Sequence, residues 1–362
     1  MTSAGTRVLK VALVVSMLAA ALPAVSLDLS EGRLKLSLLE GTGRFTISYL
    51  SPLQNGSYIP LLAAQDPRTS LLSIAVGNKV YRMGESSAFS EAAQKTPTGG
   101  RFVWTSPFLV ITETFTFVTS TGSPLADGVR IDLGLKNVSE QDLSIGVRYL
   151  FDTYLGEASL VHFQTDTLKE VTRELTLTPS DKAAYWLSPL VGNQEQVGLE
   201  CMLSGAGVTS PDRVVFANWK RLSDSSWSYE TSTTRNFSVL PYSVNDSAVA
   251  QYYDPRTIAH GAESTVTVLL GKYSTSGFAV AAASTASFQS AVQQSLEVAK
   301  GSQDTSVALH TDLATVDRIL AQIDAKMAAG SAVSDDELSL METAVSDLQS
   351  RAGRYAGGSA PK

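Results

Sequence analysis

The sequence predicts a mainly β protein, an antiparallel β-sandwich or super-sandwich followed by a C-terminal α-helical hairpin. Three observations lead there. From Leu27 to about Tyr273, apolar and polar residues alternate at period two, with clusters of Gly, Pro, Asn and Ser at roughly 8- to 14-residue intervals. No helical pattern separates these strands, which favours sheets packed face to face over a parallel α/β arrangement. Beyond residue 273 the apolar period changes to that of a helix.

Residues 1–26 read as a signal peptide. Arg7 and Lys10 flank the apolar run 11–22, and Ala24-Val25-Ser26 places small residues before a cleavage point at Leu27. The run is shorter than the roughly 20 residues that span a bilayer. The expected destination is the periplasm or cell envelope, with no membrane span after removal of the leader.

Residues 27–273 form the predicted β-sandwich domain. Leu34, Leu36 and Leu38 alternate, turn at Glu40–Gly43, and return as Phe45, Ile47 and Tyr49. Strands 71–76 and 79–82 flank Gly77-Asn78, a pair suited to a two-residue turn. Phe102–Trp104 leads into the long strand 108–118. Strands 129–136 and 143–155 flank Asn137–Asp142 and are expected to pair as a hairpin, with Asp132 opposite Arg148 and Ile131 beside Tyr149 on the other face. Further strands are expected at 167–178, 183–187, 197–203, 213–220, 227–232, 247–253 and 263–271. Asp66-Pro-Arg-Thr69 recurs as Asp254-Pro-Arg-Thr257, and both copies read as turns.

Residues 274–303 suggest a linker or packing helix, with Phe288, Val292 and Leu296 at helical spacing. The helical hairpin occupies 304–355. Leu309, Leu313, Val316, Leu320, Ile323 and Met327 step alternately by four and three, and after Gly330 and the capping box Ser334–Glu337 the seam continues as Leu338, Met341, Val345 and Leu348. Residues 356–362 read as a disordered tail. A two-helix seam is too small to be stable alone, so the hairpin should dock on the β domain, on a second copy or on a protein partner.

Composition narrows the function classes. The 362-residue chain is 44% hydrophobic and 17% charged, which excludes a disordered protein. Its net charge of −7 disfavours nucleic acid as a partner. The single cysteine, Cys201, excludes an intrachain disulfide, and with Val197, Leu199 and Leu203 on its strand face it reads as a buried thiol. Asn55, Asn137, Asn236 and Asn245 stand in Asn-x-Ser sequences and read as turn asparagines.

No phosphate loop, nucleophile elbow or helical His pair is present, and His162, His260 and His310 fall in separate segments, so neither a cofactor nor a metal is expected. Asp152, Glu157 and His162 place two carboxylates and an imidazole after one core strand, and they are candidates for acid–base chemistry. The competing reading pairs Asp152 with Arg148. Glu113 interrupts the apolar face of Leu109, Ile111, Phe115 and Phe117, where a carboxylate must be paired, wet or functional. If 213–232 forms a hairpin looped at 221–225, Trp219 faces Trp227 and Ala217 faces Tyr229, a surface able to stack on a glycan. Trp104 and Trp186 read as core. Structural roles are the preferred reading for all of these.

At Ile145–Gly156, and again from Tyr252-Tyr-Asp-Pro-Arg-Thr257 through Gly261 to Leu270-Gly-Lys-Tyr273, the chain resembles uncharacterised exported β-sandwich proteins of spirochaetes and other envelope-bearing bacteria. The strand count and long paired sheets also look like the super-sandwich of galactose-mutarotase-like proteins. That family's acid–base pair of His and Glu has no counterpart that can be placed here. The expected function is an exported, non-enzymatic structural or partner-binding protein associating through its hairpin; the alternative is a carbohydrate-binding or carbohydrate-modifying protein.

Overall fold

Three antiparallel sheets share one apolar core. The computed structural model describes residues 26–303 except 53–55, 66–67, 121–122, 124, 193–195, 206, 276–277 and 279–287, then 305–323 in part and 335–356. Residues 1–25 of the predicted leader, Asp66-Pro67, Gly330, Ser334 of the capping box and the tail after Ala356 lie outside the described residues, while Ser26 begins the first strand.

The first sheet is the meander β1 (Ser26–Glu31), β2 (Leu34–Leu39), β3 (Arg44–Ser51) and β4 (Ser57–Pro60). Leu39 pairs with Arg44 across the expected turn, and Leu34, Leu36, Leu38, Phe45 and Ile47 enter the core. The eight-stranded sheet runs β12 (Gln164–Thr165), β14 (Tyr185–Pro189), β15 (Gly198–Met202), β18 (Glu263–Lys272), β10 (Gly128–Asn137), β9 (Leu109–Val118), β8 (Gly99–Thr105), β7 (Ser90–Thr96). The six-stranded sheet runs β13 (Leu175–Leu177), β16 (Arg213–Asn218), β17 (Ser247–Ile258), β11 (Leu143–Thr153), β5 (Leu71–Val76), β6 (Lys79–Arg82). Gly77-Asn78 makes the expected tight turn between β5 and β6, Gly77 taking the positive φ of 56° that such a turn requires.

The hairpin expected between β10 and β11 does not form. β10 pairs with β9 and β18, while β11 pairs with β5 and β17, so the connection after Asn137 crosses from one sheet to the other. Asp132 consequently lies between Thr114 and Thr267, bonded to Arg130 and to the Thr267 hydroxyl, and never meets Arg148. Ile131 and Tyr149 do share the core, but from different sheets. The crossing is fastened by Asn137. Fully buried, its amide donates to the carbonyls of Gln141 and Ile258 while its Oδ1 accepts from the Ser139 amide and hydroxyl.

Between the sheets, Leu109, Ile111 and Phe115 of β9 and Val129, Ile131, Leu133 and Leu135 of β10 meet Val147, Tyr149 and Phe151 of β11. Trp104 and Trp186 are core residues, and Cys201 is a buried thiol receiving an N–H from Gln251. Glu113 sits in this core opposite Leu133, and Tyr149 reaches across from β11 to donate a 2.8 Å hydrogen bond to its Oε1. It lies neither at a sheet edge nor in a wet groove, being 0% exposed. Burial holds its carboxyl up at about 8, so at neutral pH it carries a proton.

The six-stranded sheet is buried on both faces. Its outer face presents Leu71, Leu150, Val215, Ala217, Ala248, Ala250 and Tyr252, covered by α1 (Trp219–Asp224) and the chain that follows. The predicted strand at 227–232 is part of this cover instead, and β13 occupies only the end of the predicted strand 167–178. Asp254-Pro-Arg-Thr257 is not a turn: it continues β17, with a bulge opposite Ile145 and Val147.

After β18 the chain returns to the sheet at Phe278, which bridges to Ser120 and lays its ring over Gly128 and Gly271. Two helices follow, α2 (Phe288–Gly301) and α3 (Asp335–Ala356), with helical residues between them at described positions of 305–323. Val292 and Leu296 of α2 pack with Ile319 and with Leu340, Met341 and Ala344 of α3, so the predicted packing helix joins the helical unit.

Two outcomes check this architecture. Asn137→Ala should destabilise the protein by about 2 kcal/mol in urea unfolding, because it strands buried carbonyls at the crossing. A loss below about 0.5 kcal/mol, the size of an ordinary surface change, would contradict that role. For Glu113, the carboxyl titrates near 4.5 when unfolded and near 8 in the fold. Between those values the folded chain keeps a proton that the unfolded chain has released, so its stabilising contribution is complete below about pH 4.5 and is lost as pH rises through about 8. Glu113→Gln removes this dependence. From about pH 5 to 8 the variant should gain on the wild type by up to about 1.4 kcal/mol per pH unit. A difference independent of pH would show that Glu113 is not protonated in the fold.

Candidate functional site

Asp152 and Glu157 fall at one end of the six-stranded sheet, each held by a structural hydrogen bond. Asp152 closes β11 and is buried. It takes a hydrogen bond from the Thr69 hydroxyl, and burial, with Asp246 and Glu157 adding like charge, pushes its carboxyl up to about 8. It does not pair with Arg148. Glu157 caps the start of β17, accepting the Ser247 amide at 2.9 Å, and burial raises it to about 7. Asp246 accepts the Ser243 hydroxyl. Among the described residues no group of three His, Cys, Asp or Glu side chains is arranged to hold a metal ion.

His162 follows a tight return in which a Cβ at Gly156 would meet the Val161 carbonyl at 2.2 Å. Its ring packs 4.4 Å from that of Phe237, its Nδ1 is buried without a hydrogen-bond partner, and desolvation lowers the imidazole to about 4. It is a neutral ring at physiological pH. Glu113 belongs to the core between the sheets, so the sequence candidates divide between two locations.

The aromatic candidates do not form a hairpin face. Residues 219–224 are helical, with the Asn218 side chain accepting the Arg221 amide as N-cap. This helix turns Trp219 onto the outer face of the sheet, where its indole N–H donates to the Thr69 carbonyl. Trp227 packs edge-on to Tyr252, ring centroids 5.9 Å apart, and the Tyr229 hydroxyl donates to Glu174. All three are half-buried as the cover of the sheet.

Two buried charges hold that cover in place. Arg148 projects from β11 and donates to the carbonyls of Leu222 and Ser225, closing the C-terminal end of α1, while its guanidinium stands over the Tyr252 ring. Glu174 precedes β13 and is 1% exposed. Its Oε1 accepts from Arg221 and Tyr229, its Oε2 accepts the Ser232 amide, and the Arg235 Nε stands 2.9 Å away as an ion pair.

Beside this hub opens a cleft of about 620 Å³, lined by Arg173, Arg221 and Arg235 together with Leu160, Asn236 and Asn245, and with His162 and Phe237 buried at its base. Sequence reading missed it. Its arginines come from three separated segments with no period between them, and only the Asn236 and Asn245 loop drew attention, as turns.

The hairpin candidates take an unexpected orientation. Met341 is buried within the helical unit, Leu309, Ile323 and Leu348 are half-buried, and Met327 lies outside the described residues. Leu313, Val316, Leu320, Leu338 and Val345 are exposed. Of the predicted seam, Met341 enters the contact between the helices and Ile323 packs against it, while the rest of that contact uses neighbouring positions, Ile319, Leu340 and Ala344, together with a buried ion pair in which Arg351 donates twice to Asp312 and Tyr355 donates to the same carboxylate.

Among the described residues no helix is long and apolar enough to cross a membrane. No protein-family model matches the chain, and no curated protein sequence does. Solved structures do resemble it. A galactose mutarotase-like protein from Lactobacillus casei is 10% identical, with a TM-score of 0.43, covering 69% of this chain and 100% of its own. A galactose mutarotase related enzyme from Lactobacillus acidophilus is 9% identical, with a TM-score of 0.41, covering 70% of this chain and 98% of its own. An aldose epimerase homologue from C. elegans is 7% identical, with a TM-score of 0.40, covering 69% and 99%.

Proposed function

We propose that this chain is an exported, non-enzymatic protein of the cell envelope that self-associates through its C-terminal helices. The observation that carries the proposal is the exposure of Leu313, Val316, Leu320, Leu338 and Val345 on helices whose other faces already pack together. The first three recur at the three-and-four spacing of a coiled-coil seam, and the natural complement of such a seam is another of its kind. A second copy of the chain supplies it through a two-fold contact, the commonest symmetry among oligomers. Each aliphatic side chain buried there contributes about 1.5–3 kcal/mol before the cost of association.

A non-enzymatic role agrees with the fate of the acid–base candidates. Glu113 is sealed in the core, while Asp152, Glu157 and His162 hold local structure. The second reading, carbohydrate binding by the β body, draws on the cleft beside Arg173, whose volume suits a small saccharide, and not on Trp219 and Trp227.

Sedimentation velocity across a concentration series tests self-association. The chain without its leader should form a dimer, and Leu313→Asp combined with Leu320→Asp should weaken it at least about a hundredfold, or about 3 kcal/mol, without altering the β-sheet circular dichroism. A wild type that stays monomeric throughout, or a variant that dimerises as before, would refute the proposal.

A further inference from the structure

We propose that the cleft lined by Arg173, Arg221 and Arg235 is a binding site for a small molecule carrying a carboxylate or phosphate group on a sugar-sized scaffold. The inference deepens the carbohydrate reading and is independent of self-association. Charge is the first support. Three guanidinium groups meet at the cleft, the residues lining it include no carboxylate, and the nearest compensating charge is Glu174 beneath them. One negative charge against three leaves an excess of two positive charges, in a chain whose net charge is −7.

Donor accounting is the second support. The oxygen of Asn236 already accepts the Ser238 amide, and that of Asn245 accepts the Ser238 hydroxyl. This assignment turns the amide NH2 groups, which can only donate, away from the occupied side. Arg173 uses one N–H, toward the Thr234 carbonyl, and a guanidinium carries five. Arg221 is held at Glu174, Asn236 and Ser238, so its plane is fixed before a ligand arrives. Oriented guanidinium donors match the lone pairs of an oxyanion and bind it more strongly, through charge-assisted bonds, than the hydroxyls of a neutral ligand.

Backbone conformation is the third. Leu160 lines the rim, 55% exposed, at a φ of +60°. A leucine rarely adopts that region, and an exposed apolar side chain held there costs energy without contributing to the core. It gives the cleft an apolar rim against which the carbon face of a sugar ring can lie, with Phe237 buried beneath. The volume of about 620 Å³ falls within the range of small-ligand sites.

Isothermal titration calorimetry at low salt, on the chain without its leader, tests this with inorganic phosphate, galacturonate, glucose 6-phosphate and glucose. At least one anion should bind while glucose does not. Galacturonate alone would assign a carboxylate, and glucose 6-phosphate alone a phosphate monoester. Inorganic phosphate binding as tightly as either sugar acid would keep the anion site while removing the sugar. Arg173→Gln should weaken binding roughly tenfold or more, and Arg173→Lys should restore part of the loss. Arg173 is exposed and makes one backbone bond, so both variants should fold, with thermal melting as the control. The site is refuted if no anion binds up to about 10 mM, if glucose binds equally, or if Arg173→Gln keeps full affinity.

Discussion

The structure depends on the burial of the six-stranded sheet from both sides. From Ile145 to Thr153, β11 is buried at every residue, and its neighbour β17 is buried from Ser247 to Tyr253. One face meets the eight-stranded sheet. The other would leave Leu71, Leu150, Val215 and Tyr252 in water, and at roughly 25 cal/mol per Å² of apolar surface that exposure is costly. The chain from Trp219 to Tyr229 answers this requirement as a lid. Such a lid has no ladder of its own, so its carbonyls need donors: Arg148 reaches those of Leu222 and Ser225 from the sheet, while Arg221, itself in the lid, ties it to the carbonyls of Asn236 and Ser238.

Charge in this domain therefore serves construction first. Arg148 has no carboxylate partner; it is bound to peptide oxygens and an aromatic face, and burial lowers its pKa. Glu174 joins β13 to the loop beyond Tyr229, and orienting Arg221 and Arg235 toward the cleft is a by-product of that joint. Glu113 stays in the core by keeping its proton and accepting from Tyr149. Glu113, Asp152 and Glu157, the carboxylates that stand out in the sequence, each accept a hydrogen bond that offsets part of the cost of their burial.

What the sequence reveals follows from how local the cause is. Period-two alternation, the Gly77-Asn78 turn, the core positions of Trp104, Trp186 and Cys201, and the change to helical period all rest on neighbouring residues, and all are legible. The crossing after Asn137 is not, because a connection of that length joins either two strands of one sheet or two facing sheets, and the choice belongs to Ile258, more than a hundred residues away. The Trp219 helix was hidden by aromatic residues that suit a strand equally well. The helical seam shows the same limit: its spacing is real, but spacing alone does not say whether a seam faces inward or outward. The arginine cleft is assembled from positions 173, 221 and 235, and only the fold brings them together.

Gly128 and Gly271 lie side by side on adjacent strands, and the Phe278 ring fills the space that two side chains would have taken. A Cβ at position 128 would stand 2.5 Å from that ring, and one at 271 would stand 2.8 Å from it. The sheet thus carries a socket defined by two missing methyl groups, and the chain is fastened there on its way out of the sandwich. The point at which the chain leaves the sheet is set by this lock. A pull on the chain beyond Phe278 would load this lock, and through it β10 and β18, before any other strand.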